Sequence, residues 1–119
     1  PYIMPNGQRK NIGIKYHKIT GRGIGLSEKA LYDPYWAREK ASEHAGNFMY
    51  NRGCQVLNLY KTMQQAPIIV SPYDAELFGH WWYEGPMFFD FLIRKSWHDP
   101  TTYSLTHLAD YLRSHPKQQ

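Results

Sequence analysis

Cysteine is almost missing from the chain. Cys54 stands alone among 119 residues, so no internal disulfide can form. Its place in a helical run that carries alanines suits a small buried hydrophobe better than a nucleophile. A reducing compartment fits this, and the expected location is the cytoplasm. There is no apolar run of about 18 residues and no charged, then apolar, then small-residue opening, so neither a membrane span nor a signal peptide is expected. Concentrated basic charge is missing too. The formal charge is +4, from 14 basic against 10 acidic residues. The basic side chains are scattered over Arg9-Lys10, Lys15, Lys18, Arg38, Lys40 and Arg94-Lys95, which speaks against a nucleic-acid partner. No repeat or low-complexity tract interrupts the chain.

What is present is apolar and aromatic: 42% hydrophobic and 16% aromatic residues, sufficient for a core within one domain. Pro5-Asn6-Gly7 signals a turn, and Asn11 to Thr20 alternates Ile12, Ile14 and Tyr16 with polar residues as a strand does. Gly21-Arg22-Gly23-Ile24-Gly25 is flexible enough to approach a ligand closely. With no Lys-Ser or Lys-Thr after it, a plain loop is favoured over a phosphate cradle.

Asp33-Pro34 combines a capping carboxylate with a proline preset for the first helical turn. The helix it starts is expected to reach Met63. Ala37, Ala41, Ala45, Phe48, Val56, Leu59 and Met63 trace one apolar face, and Ala41, Ala45, Gly46 and Gly53 allow close approach of another backbone. Arg52 interrupts this face and must either find a partner or mark its edge. His44, Asn47 and Asn51 flank the helix and could make polar contacts toward a cleft. No second histidine stands four residues from His44 to share a metal. At about 1.5 Å per residue the helix would run roughly 45 Å, longer than a compact domain of this size is wide. The opening on Pro1-Tyr2-Ile3-Met4-Pro5 and the close on His115-Pro116-Lys117-Gln118-Gln119 agree with a chain that is part of something larger.

Gln64-Gln65-Ala66-Pro67 breaks the helix, and Ile68-Ile69-Val70 reads as a short buried strand. Gly85-Pro86 starts another helix, whose apolar positions Met87, Phe88, Phe89, Phe91, Leu92 and Ile93 are so numerous that it should be largely covered, and which should end by Trp97. A last helix, capped by Ser104 or Thr106, runs through Leu108, Tyr111 and Leu112 to His115-Pro116. Helix then strand then helix is α/β order.

The stretch Ser71 to Pro86 concentrates the chemistry. Asp74 would lie just past the carboxyl end of the Ile68–Val70 strand, where side chains of parallel α/β sheets and barrels face the substrate cleft. Glycosidic bonds are cleaved by a pair of carboxyl groups flanking the bond. Asp74 and Glu76 are so close in sequence that a catalyst with an orienting neighbour is favoured over acid and nucleophile on opposite sides of a sugar. His80, Trp81 and Trp82 suit sugar recognition, because pyranose C–H faces stack on aromatic rings and imidazole bonds hydroxyls. Adjacent tryptophans point in different directions, so one should be core; Tyr73 and Phe78 are expected to pack. A metal site at Asp74, Glu76 and His80 lacks a further firm ligand and a recognisable spacing, and no metal is expected.

Tyr73-Asp74-Ala75-Glu76-Leu77-Phe78-Gly79-His80-Trp81-Trp82 resembles the fourth conserved region of glycoside hydrolase family 57, in the form carried by its α-1,4-glucan branching enzymes. The similarity extends through Gly13-Ile14-Lys15-Tyr16, Ile19-Thr20-Gly21, Ala37-Arg38-Glu39-Lys40, His44-Ala45-Gly46-Asn47-Phe48 and Tyr111-Leu112 with His115-Pro116. The resemblance implies an α/β fold: residues 1–119 would be a carboxy-terminal portion of the family's incomplete seven-stranded parallel barrel, lacking segments at both ends. It also implies a retaining enzyme that forms α-1,6 branches in glycogen- or starch-like glucan without a cofactor. Asp74 matches the acid/base, while Gly21, Glu76, His80, Trp81 and Trp82 fall at sugar-contacting positions. The family's nucleophilic glutamate lies in an earlier region that this chain does not contain, and Glu43, Glu76 and Glu84 do not match it. The chain alone is therefore expected to be inactive, with α-glucan and the remainder of the catalytic domain as its partners. An α-amylase or 4-α-glucanotransferase of the same family is the alternative, as is a non-catalytic glucan-binding module.

Overall fold

The computed structural model describes residues 2–10, 15–101 and 103–117. The chain divides into two compact units, Pro1–Ala37 and Arg38–Gln119.

In the first unit, strands β1 (Tyr2–Ile3) and β2 (Arg9–Lys10) pair antiparallel, with Ile3 opposite Arg9. The expected turn joins them: the Gly7 N–H donates to the Met4 carbonyl at 2.8 Å, and the Asn6 side chain accepts from the Gln8 N–H at 3.0 Å. Of the strand expected over Asn11 to Thr20, residues 11–14 lie outside the described residues. The remainder is tied back by an antiparallel bridge between His17 and Leu31 and by the Thr20 hydroxyl, which accepts from the Ala30 N–H at 3.2 Å, while Ile19 is 85% exposed. Gly21 lies in the exposed loop that follows, which is a plain turn leading to a short 3-10 helix at Leu26–Glu28.

Helix α1 (Pro34–Met63) begins as its sequence dictates. Asp33 Oδ1 accepts from the N–H groups of Tyr35 at 2.9 Å and Trp36 at 3.1 Å, satisfying donors that have no partner within the helix. It ends where Gln64 turns to φ 55°, a left-handed residue whose N–H still reaches the Tyr60 carbonyl.

In the second unit, helix α2 (Gly85–His98) packs on α1. The core is small: Ala41 and Ala45 from α1 meet Phe88 and Leu92 from α2, with Phe48, Met49, Phe78, Trp82, Met87 and Phe91 closing around them. Alanines on α1 let the large α2 side chains fill the gap, and Phe48 meets Phe88 edge-to-face at 5.9 Å. The Arg38 guanidinium lies over the Phe91 ring at 5.0 Å. Helix α3 (Leu108–Ser114) completes the unit.

Several expectations are corrected. Cys54 is exposed, because it stands one step around the helix from the buried Gly53. Ile68–Val70 is no strand: none of its residues is paired in a ladder, and Val70 is 56% exposed. Among the described residues the β1–β2 pair is the whole sheet, so these residues are mostly helical and form no barrel. Helix α2 is covered on one face alone, leaving Phe89 and Ile93 exposed, and it runs one residue beyond Trp97. His107, not Ser104 or Thr106, occupies the cap position of α3, and the Thr106 hydroxyl turns to the His107 carbonyl instead. No helix is long and apolar enough to cross a membrane among the described residues.

Candidate functional site

The stretch from Ser71 to Glu84 is irregular backbone, yet it is closely tied. The Leu77 N–H donates to the Asp74 carbonyl at 3.0 Å, opening a short 3-10 helix at Ala75–Leu77. The Trp82 N–H then donates to the Leu77 carbonyl at 2.8 Å, and the N–H groups of Gly79 and Gly85 both donate to the Trp82 carbonyl at 2.9 Å. Gly79 sits at φ +100°, where a side chain is strained. Gly85 is required for a different reason: a Cβ there would lie 2.9 Å from the Phe78 Cα. The turn is thus pressed backbone-first onto the start of α2.

Phe78 is the hub of this turn. Its ring meets Phe89 at 4.7 Å, Tyr73 at 5.7 Å and Trp82 at 6.2 Å, while Trp82 meets Phe88 at 4.9 Å. Phe78 therefore packs as expected, whereas Tyr73 stays 54% exposed and touches it by an edge. The two tryptophans separate as their adjacency requires: Trp82 is half-buried against the core and Trp81 is 72% exposed beside the His80 ring.

Asp74 occupies the first position of the 3-10 turn, exposed, and its carboxylate makes no capping bond to that turn. Glu76, within the turn, is exposed as well. Asp74, Glu76, His80, Trp81 and Trp82 thus share one short, braced segment, while Gly21 belongs to the first unit. Among the described residues no group of three or more His, Cys, Asp or Glu side chains is gathered as a metal would need.

A pocket of about 390 Å³ opens beside this segment. Tyr73, Phe78 and Trp82 line it on one side, over Phe48 and Phe88. His44, Asn47, Asn51 and Arg52 line it from α1, so the polar flank of that helix does face a cleft. Asn51 donates from its amide nitrogen to the Asn47 carbonyl at 2.8 Å and to the Asn47 side-chain oxygen at 3.0 Å. Arg52 lies over the Phe48 ring at 5.4 Å, with its Nε buried and unpartnered. It is neither ion-paired core nor a free edge.

A larger cavity, about 760 Å³, lies along the carboxyl half of α1, where aliphatic residues such as Val56, Leu57 and Ile69 alternate with aromatic ones such as Tyr60, Phe89 and Tyr111. Its lining also carries Arg52, Ser104, Asp110 and Tyr103; burial pushes the Tyr103 phenol above its ordinary value, and the nearby Ser96 hydroxyl and Arg52 charge oppose that shift. The smaller pocket sets the His44, Asn47 and Asn51 side chains against the motif's own Phe78 and Trp82, and is the better candidate for a sugar.

Comparison with known proteins bears directly on this segment. No family model matches the chain. Individual relatives do: it is 44% identical over 73 residues to a 1,4-alpha-glucan branching enzyme of Thermococcus kodakarensis, covering 61% of this chain and 11% of that protein. It is 33% identical over 82 residues to a Mycobacterium tuberculosis protein named "Probable 1,4-alpha-glucan branching enzyme", covering 69% of this chain and 16% of the relative. Among solved structures, the alpha-amylase AmyC of Thermotoga maritima superposes with a TM-score of 0.83 at 36% identity, over 99% of this chain and 22% of that one. A GH57 branching enzyme from Thermococcus kodakaraensis, in complex with glucose, superposes with a TM-score of 0.77 at 33% identity, over 87% of this chain and 18% of the other. The chain belongs to glycoside hydrolase family 57. It spans 11% to 16% of the length of the curated family 57 relatives given above.

Two features of this family 57 segment escaped sequence reasoning. The close approach of Phe78 to Gly85 is tertiary and leaves no local signal. The polar wall of α1 was visible as His44, Asn47 and Asn51, but the place of Arg52 in it was not, because its spacing set it on the apolar row that it interrupts.

Proposed function

We propose that this chain is the acid/base-bearing part of a retaining family 57 enzyme, a 1,4-α-glucan branching enzyme, with Asp74 as the acid/base. The observation that supports this most is the placement of Asp74: an exposed carboxylate at the head of a turn braced by Phe78 and Gly85, beside an aromatic and amide-lined pocket. Such a carboxyl group can protonate the departing glucan oxygen, then take the proton of the incoming 6-hydroxyl as the transferred segment is released from the nucleophile. The nucleophilic glutamate belongs to the remainder of the catalytic domain, about 5 to 5.5 Å from Asp74 as retention requires. In that domain Ile68–Val70 pairs into the partial parallel barrel, and the exposed apolar residues of α2 and α3 become covered. His80, Trp81, Trp82 and Glu76 contact glucan, and Gly21 is a further sugar-contact position; no cofactor is needed, and the product is branched glycogen-like polymer in the cytoplasm.

Incubation of the chain with amylose, followed by proton NMR, should show neither new reducing ends nor α-1,6 anomeric signals. In the protein that carries it, both should depend on Asp74, and Asp74→Asn should abolish turnover while maltooligosaccharide still binds. Unchanged turnover would remove Asp74 from the mechanism. The likeness to an alpha-amylase over 99% of the chain supports a second reading, hydrolysis in place of transfer. New reducing ends without α-1,6 signals would select it.

A further inference from the structure

The pocket formed by α1 and the motif turn contains groups that the proposed acid/base chemistry does not use. Resting on the α-glucan reading, we propose that this pocket is a glucose-unit subsite, in which Asn47, Asn51 and Arg52 bond hydroxyls and Trp82 carries the sugar face. Its volume, about 390 Å³, falls within the rough 300–1,000 Å³ range of small-ligand sites. A pyranose presents an apolar C–H face and a rim of hydroxyls, each both donor and acceptor. The half-buried Trp82 ring, held at 4.9 Å from Phe88, is a fixed platform for that face. Opposite it, Asn51 commits its amide nitrogen to Asn47, which sets the orientation of its oxygen and leaves that oxygen as an acceptor. The buried Arg52 Nε–H lacks an acceptor, and burial without one is costly. A sugar hydroxyl supplies it. Tyr73, which directly precedes Asp74 in the chain, lines the same pocket.

The test is a titration of the isotopically labelled chain with maltotriose, reading the Asn47 and Asn51 side-chain amides, the Arg52 Nε–H and the Trp82 indole by NMR. All should shift together and saturably. Asn51→Leu, with helix content verified by circular dichroism, should weaken binding by about three- to tenfold, the loss of one or two hydrogen bonds. Maltotriose that moves only the His80 and Trp81 signals overturns the subsite and leaves the glucan reading intact. No binding at all also overturns the subsite, and the amylose assay in the protein that carries the chain then decides the glucan reading by itself.

Discussion

The helix pair and the motif turn, adjacent in the second unit, are stabilised by different means. Between α1 and α2 the work is done by burial: Ala41, Ala45, Phe88 and Leu92 are each less than a tenth exposed. The turn from Ser71 to Glu84 buries no residue completely. It is held by its own backbone hydrogen bonds, by the rings around Phe78 and by the contact with Gly85. That division leaves Asp74, Glu76, His80 and Trp81 exposed on a rigid backbone. Such a place suits the acid/base role proposed for Asp74, because packing that immobilised the carboxylate directly would also bar a substrate.

Phe88 joins the two regions, touching Phe48 on one side and Trp82 on the other. Phe88→Ala should therefore damage both, with about 3–5 kcal/mol lost in urea unfolding and the Trp82 fluorescence changed before global unfolding. A loss confined to the helices would show that the turn stands independently. Gly85→Ala separates the regions more finely. Helix propensity alone predicts stabilisation, whereas the new Cβ 2.9 Å from the Phe78 backbone predicts a loss of about 1–3 kcal/mol. The sign of the change decides between them, and destabilisation is expected.

The helices were readable from sequence because their signals are local: Asp33-Pro34 and Gly85-Pro86 mark starts, and the apolar period marks a face. The Ile68–Val70 segment shows the limit of such signals. A β-branched apolar run specifies extended backbone, but a strand exists only when another pairs with it, and no described residue does. Adjacency correctly divided the exposed Trp81 from the half-buried Trp82. Burial of Cys54 and coverage of Phe89 and Ile93 failed because each depends on which neighbours are present, not on the residue's own character.

Trp81, 72% exposed, should be nearly irrelevant to folding. Trp81→Ala should change stability by no more than about 0.5 kcal/mol while weakening maltooligosaccharide binding in calorimetry. A large stability loss would place it with the core. The smallest effect should be alkaline. Burial holds the Tyr103 phenol above its ordinary value of 10.0. A pKa raised by folding gives stability that is intact below about pH 10 and is lost as pH rises through the folded value. Tyr103→Phe should flatten this decline in thermal melts, and an unchanged slope would assign it elsewhere.

The most direct test of Asp74 compares two substrates in the protein that carries this chain. Breaking the bond in amylose requires protonation of a poor leaving group; releasing fluoride from α-maltosyl fluoride does not. In the Asp74→Asn variant, amylose turnover should vanish while a first-turnover burst of fluoride persists. Equal loss of both would contradict an acid/base role for Asp74.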